Sequence, residues 1–273
     1  MQGRIEGGGL VLAYISRIWA CRYFWLALVK IDLKARYRRS IIGIGWSLIR
    51  PLVMTLILCV VFVRLFHRTD VWTYAPYLLA GLTFWDYVST AMRQGCQCFF
   101  QGESYIRQHP TPIAIFPLRI ALAETFHFLI AMSVLIGLAW YSQGGFANVP
   151  ALLTLIPTIV LLFVLVWSVA MFSGACNVYF QDTQHLFDVA FQAWFYATPI
   201  VYDAADLGPG RLQWVIVHCN PLVPLLQLMR EPILHGRIPT LETYASAILV
   251  VCVMAGAASA LCVRLQRRLI FHL

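Results

Sequence analysis

The sequence predicts an all-α membrane protein with six transmembrane helices, an N-terminal interfacial helix and short re-entrant or gate helices before the last span. Hydrophobic residues form 60% of the 273 residues and charged residues only 12%, about half the share of a soluble domain. No Asp, Glu, Lys or Arg occurs from Thr125 to Gln181, which leaves room for two spans of about 20 residues and a short loop. A basic run, Lys34 to Arg39, gives way to an apolar segment near Trp46, as at a cytoplasmic membrane boundary.

The N-terminal region, residues 1–43, is predicted to combine an interfacial amphipathic helix with this basic junction. Leu10 to Leu33 is apolar and aromatic, but its longest stretch without a charge, Gly7 to Ser16, is too short to cross a bilayer. A helix that lies at the interface with snorkelling arginines fits this stretch better than a span.

The transmembrane domain is predicted over residues 44–263. A cytoplasmic coupling loop covers 97–117, outer gate helices cover 203–237, and a cytoplasmic tail covers 264–273. Asn220-Pro221 and Pro224 interrupt the uncharged stretch Leu212–Met229, which favours a pair of short helices over another span. The approximate bounds of the six spans are 44–66, 74–95, 118–141, 151–174, 184–202 and 243–263.

The basic residues orient this arrangement. Fourteen of the twenty lie on the side of the termini and five on the other side, while Arg50 lies just inside the first span. Because basic residues accumulate in cytoplasmic segments, both termini are predicted to be cytoplasmic. The same distribution favours contacts with anionic lipid or a cytoplasmic partner over nucleic acid.

The chain contains no phosphate-binding loop. Its two lysines, Lys30 and Lys34, are not followed by Ser or Thr, so a Gly-x4-Gly-Lys-Ser/Thr motif is impossible. If transport uses ATP, another subunit must hydrolyse it, and neither a catalytic residue nor a cofactor is expected in this chain. No metal site is predicted, since Cys96 and Cys98 are the only close cysteines and lack a nearby His.

Ionisable residues inside spans are expensive to bury and mark candidate functional sites. A proton relay that includes the stripe Asp182, His185 and Asp188 is one interpretation, and pairing between helices or contact with a wet cavity is the favoured one. Glu124 and His127 are three residues apart and close enough to interact on one helix. The intramembrane polar residues singled out are Asp86, Arg93, Glu124 and Asp188.

Aromatic residues concentrate at Phe84–Tyr87 and at Trp194–Tyr202. Their common role in membrane proteins is an interfacial belt, and the alternative here is a wall on which sugar rings stack. The loop 97–117 is either a plain connector or an element that inserts into a partner. The second interpretation is favoured because apolar residues in a cytoplasmic loop, such as Tyr105 and Phe116, need cover.

Several motifs resemble those of one family, the membrane subunits of type-2 ABC exporters for O-antigen, capsule or teichoic acid. Leu33 to Ser40, followed by Gly43, Trp46 and Pro51-Leu52, resemble the start of its first span. Further matching motifs are Leu79-Ala80-Gly81-Leu82 with Trp85, and Asn220-Pro221-Leu222 with Pro224-Leu225 and Arg230.

The resemblance implies a homodimeric permease in the inner membrane of a bacterium, bound to two copies of an ATPase that holds ATP and Mg. It implies a channel for a lipid-linked polysaccharide, with Leu10–Leu33 as a gate helix. It assigns ATPase coupling to Lys34, Arg36, Arg38, Arg39, Glu103, Tyr105, Arg107 and His109. It assigns the substrate path to Trp46, Phe84, Trp85, Tyr87, Trp194, Phe195, Tyr196 and Tyr202. It assigns a gate motif to Asn220, Pro221, Pro224 and Arg230.

The sequence departs from the O-antigen pattern in two places. The proline-rich segment Gln108–Pro112 is closer to capsule-type relatives, and Asp86 stands where a neutral residue is expected. Two alternatives remain at this point: a type-2 permease for a drug, lipid or other small molecule, and an intramembrane enzyme that modifies a lipid.

Overall fold

The computed structural model describes residues 14, 16–38, 40, 42–66, 71–108, 111–146, 148–204, 208 and 210–266. All regular elements in this part of the chain are helical. The α-helices with complete bounds are α1 (Arg22–Tyr37), α2 (Trp46–Phe66), α3 (Val71–Gln101), α4 (Glu103–Gln108), α5 (Ile115–Gln143), α6 (Val149–Leu153), α7 (Leu155–Tyr179), α8 (Thr183–Ala197), α9 (Arg211–Cys219), α10 (Leu222–Leu234) and α11 (Leu241–Gln266).

Three helical segments of the described chain are long and apolar enough to cross a membrane. They are Ile115–Gln143, Val149–Tyr179 and Leu241–Leu265, with 29, 31 and 25 residues. At about 1.5 Å per residue, each exceeds the hydrocarbon thickness of about 30 Å. They coincide with the third, fourth and sixth predicted spans, so the chain is a multi-pass helical membrane protein.

The second and fifth predicted spans have different bounds in the structure. Helix α3 has 31 residues and runs to Gln101, because residues 97–101 contain no helix breaker and Cys98 and Phe99 pack in the core. The predicted loop 97–117 is therefore shorter, and its last residues open α5. Helix α8 ends at Ala197, before the predicted limit of 202, because the residue that precedes Pro199 is driven out of helical geometry.

Helix α3 lies at the centre of the bundle and packs against α2, α5, α7, α8 and α10. Its closest approach is to α7, where a Cβ placed on Gly95 would lie 2.6 Å from the Ala170 Cα. Two hydrogen bonds cross the same contact, from the Ser173 hydroxyl to the Met92 carbonyl at 3.0 Å and from the Asn177 amide to the Cys96 carbonyl at 2.8 Å. Small residues and polar bonds of this kind hold helices together where lipid removes the hydrophobic drive.

Helix α1 lies against α5, with Leu28 buried and Tyr23 and Ile31 exposed. Residues 16–20 are also helical and lead into α1, and the first residues of the predicted Leu10–Leu33 helix lie outside the described chain. Near the other end, α9 and α10 form two short helices that meet at Asn220-Pro221, as the prolines of this segment predict.

Candidate functional site

An ion pair with a buried carboxylate links the basic end of α1 to α5. The Arg36 guanidinium lies 2.7 Å from Glu124 Oε1, and the Gln94 amide of α3 donates to the same oxygen at 2.8 Å. Glu124 is only 5% exposed. A carboxylate at this depth requires such partners, because burial without them costs several kcal/mol.

Tyr37 makes the second link between the α1 end and α5. Its hydroxyl lies 3.1 Å from His127 Nδ1 and 3.3 Å from the Ser47 hydroxyl of α2. The expected Glu124–His127 interaction is therefore replaced by two separate bonds to neighbouring residues of α1. Both bonds depend on the packing of α1 against α5. The spacing of residues within one helix does not reveal this packing.

Asp86 pairs with Arg50 across α2 and α3, at 3.7 Å. Both side chains are partly exposed, so this ion pair faces an open space rather than a dry core. Arg93, seven residues further along α3, donates to Ser89 and Thr90 of its own helix at 3.4 and 3.3 Å. The charged side chain at position 86 therefore has an oppositely charged partner, Arg50 of α2.

Two cavities meet at the Arg50–Asp86 pair. The first, of about 260 Å³, lies between the α1 end, α2, α3 and α5, and its wall includes Trp46, Thr83 and His127. The second, of about 610 Å³, lies between α2, α3 and α8. Its wall combines charged and amide side chains with aromatic rings: Arg93, Asp188, Gln192, Trp85, Phe195 and Tyr196.

The aromatic wall of the second cavity is built around Trp85. Its ring contacts Phe195 edge-on at 5.5 Å between centroids and Phe191 at 5.7 Å. Asp188, on the next turn of α8, keeps one carboxylate oxygen without a hydrogen-bond partner in the described chain. Aromatic rings and charged or amide side chains on one wall form a surface that suits a molecule with apolar faces and hydroxyl edges.

The other predicted path residues lie elsewhere. Phe84 is fully buried, and Tyr87 stacks on Phe128 at 4.4 Å while its hydroxyl bonds Thr125 at 2.6 Å. Trp194 donates to Asn220, and the Tyr202 hydroxyl donates to the Tyr196 carbonyl at 3.1 Å. The structure thus brings Trp85, Phe195 and Tyr196 together at one cavity and Trp46 and Tyr87 at its neighbour.

The short helix α4 presents the predicted coupling residues. Arg107 and Glu103 form an exposed ion pair at 2.8 Å, one helical turn apart. Tyr105 contacts Phe24 of α1 edge-on at 5.6 Å, which joins α4 to α1. Lys34 and Arg38 are exposed near the end of α1, whereas Arg39 and His109 lie outside the described residues.

Asp32, on the inner side of α1, links α1 to the start of α5. It lies 3.6 Å from Arg119, whose guanidinium also donates to Gln101 of α3 at 3.0 Å. Burial raises the pKa of the Asp32 carboxyl above its usual value, and Arg119 and Arg36 lower it in part. This junction joins α1, α3 and α5 directly beside α4.

The gate motif closes the helix break after α8. Arg230 of α10 is 7% exposed and donates to the carbonyls of Pro199, Ile200 and Tyr77 at 2.6, 2.8 and 3.2 Å. The carbonyls of Pro199 and Ile200 belong to the non-helical segment after α8 and have no intrahelical partner, which is costly in a membrane. The buried guanidinium supplies these donors.

Asn220 performs the same task between α8 and α10. Its amide donates to the Ala197 carbonyl at 3.1 Å and to Thr198 at 2.9 Å. Its carbonyl oxygen accepts from the Trp194 indole at 3.1 Å and from the Leu222 amide at 3.0 Å. Pro221 immediately precedes α10 and Pro224 lies in its first turn, where a missing N–H has no cost.

Sequence reasoning missed the residues of α3 that meet this break. The Tyr74 hydroxyl donates to the Val201 carbonyl, and the Tyr77 hydroxyl donates to the Tyr202 carbonyl at 2.8 Å. Their spacing of three residues places them on one helical face. That spacing was the available signal, but it does not name a partner more than 120 residues away in the chain.

Comparison with known proteins adds a family and several relatives. The family model described as ABC-2 type transporter matches residues 23–234. An O-antigen export system permease protein of Klebsiella pneumoniae is 28% identical over 75% of this chain and 78% of its own length. One from Myxococcus xanthus is 23% identical over 92% and 95%, and a polysialic acid transport protein of Escherichia coli is 23% identical over 78% and 81%.

Proposed function

The chain belongs to the ABC-2 type transporter family, and from that premise we propose that it is the channel-forming permease subunit of a polysaccharide exporter in the inner membrane of a bacterium. ATP and Mg bind a separate ATPase subunit, present in two copies, and the permease is a homodimer. The relatives named for O-antigen export and polysialic acid transport support a glycan as the substrate. The proposal adds that the glycan is carried on a lipid.

The proposal includes a membrane arrangement of six spans. They are α2, α3, α5, the α6–α7 pair, α8 with the residues that follow it, and α11. Helix α1 lies at the cytoplasmic interface, and both termini are cytoplasmic. The exposed Tyr23 and Ile31 of α1 support its contact with lipid, since an interfacial helix keeps apolar residues on its membrane side.

The second cavity carries the proposal. It places Trp85, near the middle of α3, beside Asp188, Gln192, Phe195 and Tyr196 of α8. A sugar ring can stack its apolar face on an aromatic side chain while its hydroxyls bond carboxylate and amide groups. A hydrophobic drug would leave these polar groups unpaired, which disfavours the small-molecule alternative.

The conformational change of the ATPase reaches the permease through α4. ATP-driven closure of the partner pair moves α4, and the Tyr105–Phe24 contact and the Asp32–Arg119 junction pass this movement to α1, α3 and α5. The Arg36–Glu124 and Arg50–Asp86 pairs lie on the same route and border the cavities.

Deletion of the gene tests the proposal. We expect the glycan to accumulate inside the cell and to disappear from the surface, and wild-type protein supplied from a plasmid should restore it. The purified permease should co-purify with an ATPase. Normal surface glycan in the deletion strain, or a lipid-modifying activity that persists without any ATPase, would contradict the proposal.

A further inference from the structure

A third cavity, of about 450 Å³, lies against the face of α8 next to the one that borders the polar cavity. Its floor is formed by buried residues of α3 and α7, among them Met92 and Leu165. Its rims are Phe187 on α8 and Leu249 and Val253 on α11, and the last two are about two-thirds exposed. We refer to this space between α8 and α11 as the apolar groove.

The lining of the apolar groove offers no available hydrogen-bonding group to a water molecule. This lining is hydrocarbon apart from Ser173 and Trp194, and both of these polar groups are already used. The Ser173 hydroxyl donates to the Met92 carbonyl, and the Trp194 indole donates to Asn220. A water molecule needs two to four polar partners, so a cavity of this kind stays dry.

The depth of the groove decides what can fill it. Val253 is near the middle of α11 and Leu165 is near the middle of α7, two helices long and apolar enough to cross the membrane. At this depth the surrounding medium is lipid hydrocarbon. An empty space of this size would forfeit dispersion contacts along its whole wall, which a hydrocarbon chain restores.

Phe191 connects the apolar groove to the polar cavity. Its ring borders both spaces, and the two lie against neighbouring faces of the single helix α8. On one side are Asp188, Gln192 and Tyr196, and on the other are Phe187 and Trp194. A molecule with a sugar head and a hydrocarbon tail matches this division. An ordinary phospholipid has no sugar group to place in the polar cavity.

We infer that the apolar groove binds the hydrocarbon chain of the lipid that carries the glycan, while the adjoining cavity receives the first sugar residues. The inference rests on the proposed function, since only a lipid-linked glycan joins the two chemistries in one molecule. Helix α8 then acts as the divider between head and tail.

Photolabelling of the purified full-length chain in phosphatidylcholine nanodiscs tests this site. One probe is an alkyl maltoside with a diazirine in its chain, and the other is phosphatidylcholine with the same group in an acyl chain. We expect the maltoside to label groove residues such as Met92 and Phe187 at least about fivefold more than the phospholipid does at equal concentration. Equal labelling by the two probes would assign the groove to ordinary lipid and overturn the inference.

Two tryptophan substitutions on α11 sharpen the test. Val253→Trp fills the groove, whereas Ile248→Trp adds the same ring at an exposed position that does not line it. Maltoside labelling should fall about fivefold or more in the first variant and stay at the wild-type level in the second. Equal behaviour of both variants, or a cross-link from a photoreactive residue at position 253 to another protein chain, would overturn the inference.

Glycan export in cells separates this inference from the proposed function. If the wild-type chain exports glycan and Val253→Trp exports it equally well, the groove does not serve the carrier and the proposed function stands. If deletion of the gene leaves surface glycan unchanged, the proposed function fails whatever the labelling shows.

Discussion

The Arg230 guanidinium lies 3.7 Å from the centre of the Tyr77 ring and also donates to the Tyr77 backbone carbonyl. This single side chain therefore joins α10 to α3 by a cation–π contact and a hydrogen bond. Two further bonds to Pro199 and Ile200 join both helices to the segment after α8. Arg230 of the gate motif thus connects α10, α3 and the segment after α8. We call this set of contacts the Arg230 tie.

Replacement of Arg230 by Met should loosen this tie. The carbonyls of Pro199 and Ile200 lose their donor, so we expect a loss of about 1–3 kcal/mol in stability. Thermal unfolding in detergent measures it, with Arg237→Met as the control because Arg237 is exposed. Arg230→Lys, which keeps the charge but not the planar fork, should fall between them. Equal stability of Arg230→Met and the control would refute the role of the tie.

The α3–α7 contact should not accept a methyl group at Gly95. The new Cβ would lie 2.6 Å from the Ala170 Cα, and backbone cannot move aside as a flexible side chain can. We expect Gly95→Ala to destabilise the protein by about 1–3 kcal/mol. Gly137→Ala on α5 is the matched control, since no atom lies within 4 Å of its Cβ position. It should be neutral or stabilising by up to about 1 kcal/mol. A reversed order in unfolding temperature would contradict the close approach.

Burial should distinguish two ion pairs of similar length. Arg36–Glu124 has a buried carboxylate, whereas Glu103–Arg107 is exposed on both sides. A double-mutant cycle on the first pair should give a coupling energy of about 1–3 kcal/mol, and the same cycle on the second about 0.5 kcal/mol or less. The variants are Arg36→Met with Glu124→Gln and Arg107→Met with Glu103→Gln. Similar coupling energies would show that Arg36 does not stabilise Glu124 in the membrane.

Tyr105 should affect partner binding more than stability. Tyr105→Ala removes an exposed ring from α4 and its contact with Phe24. Tyr141→Ala removes a comparable ring that contacts Trp72 at 5.4 Å, at the far end of α5. We expect co-purification of the ATPase to fall at least about fivefold in the first variant and to remain unchanged in the second. Loss in both, or in neither, would argue against α4 as the docking element.

Asp32 should make stability depend on pH. Burial raises the pKa of its carboxyl, so the folded state holds the proton more tightly than the unfolded chain does. Its contribution to stability is therefore largest below the ordinary Asp pKa of about 3.9 and is lost as pH rises through the raised value. We expect the unfolding temperature of the wild type relative to Asp32→Asn to fall as pH rises above about 4. A relative rise would mean that the Arg119 pairing outweighs burial.

The membrane class and three of the spans could be predicted because they depend on local composition. A run without charges from Thr125 to Gln181 leaves a long helix within the bilayer as the cheapest conformation for those residues. The two short helices α9 and α10 were predictable for the same reason, since Asn220-Pro221 and Pro224 act on the backbone next to them. The motif that contains Arg230 was recognised, but its bonds to Pro199 and Ile200 were not.

The partners of the polar residues were not predictable, because they lie on other helices. Glu124 has His127 one turn away in the sequence, yet its partner is Arg36, 88 residues earlier. Asp86 has Arg93 on its own face, yet it pairs with Arg50 of α2. Which pair forms depends on how the helices rotate and cross, and these angles are set by side-chain packing along the whole contact.

The sequence by itself determined that this chain is a bundle of membrane helices, because the cost of placing each residue in a hydrocarbon layer depends on that residue's own hydrophobicity and charge. The tertiary structure alone decided which charged residues pair, and that the polar cavity and the apolar groove both border Phe191 of α8. Those features depend on contacts between separate helices, and the sequence of any single helix does not specify such contacts.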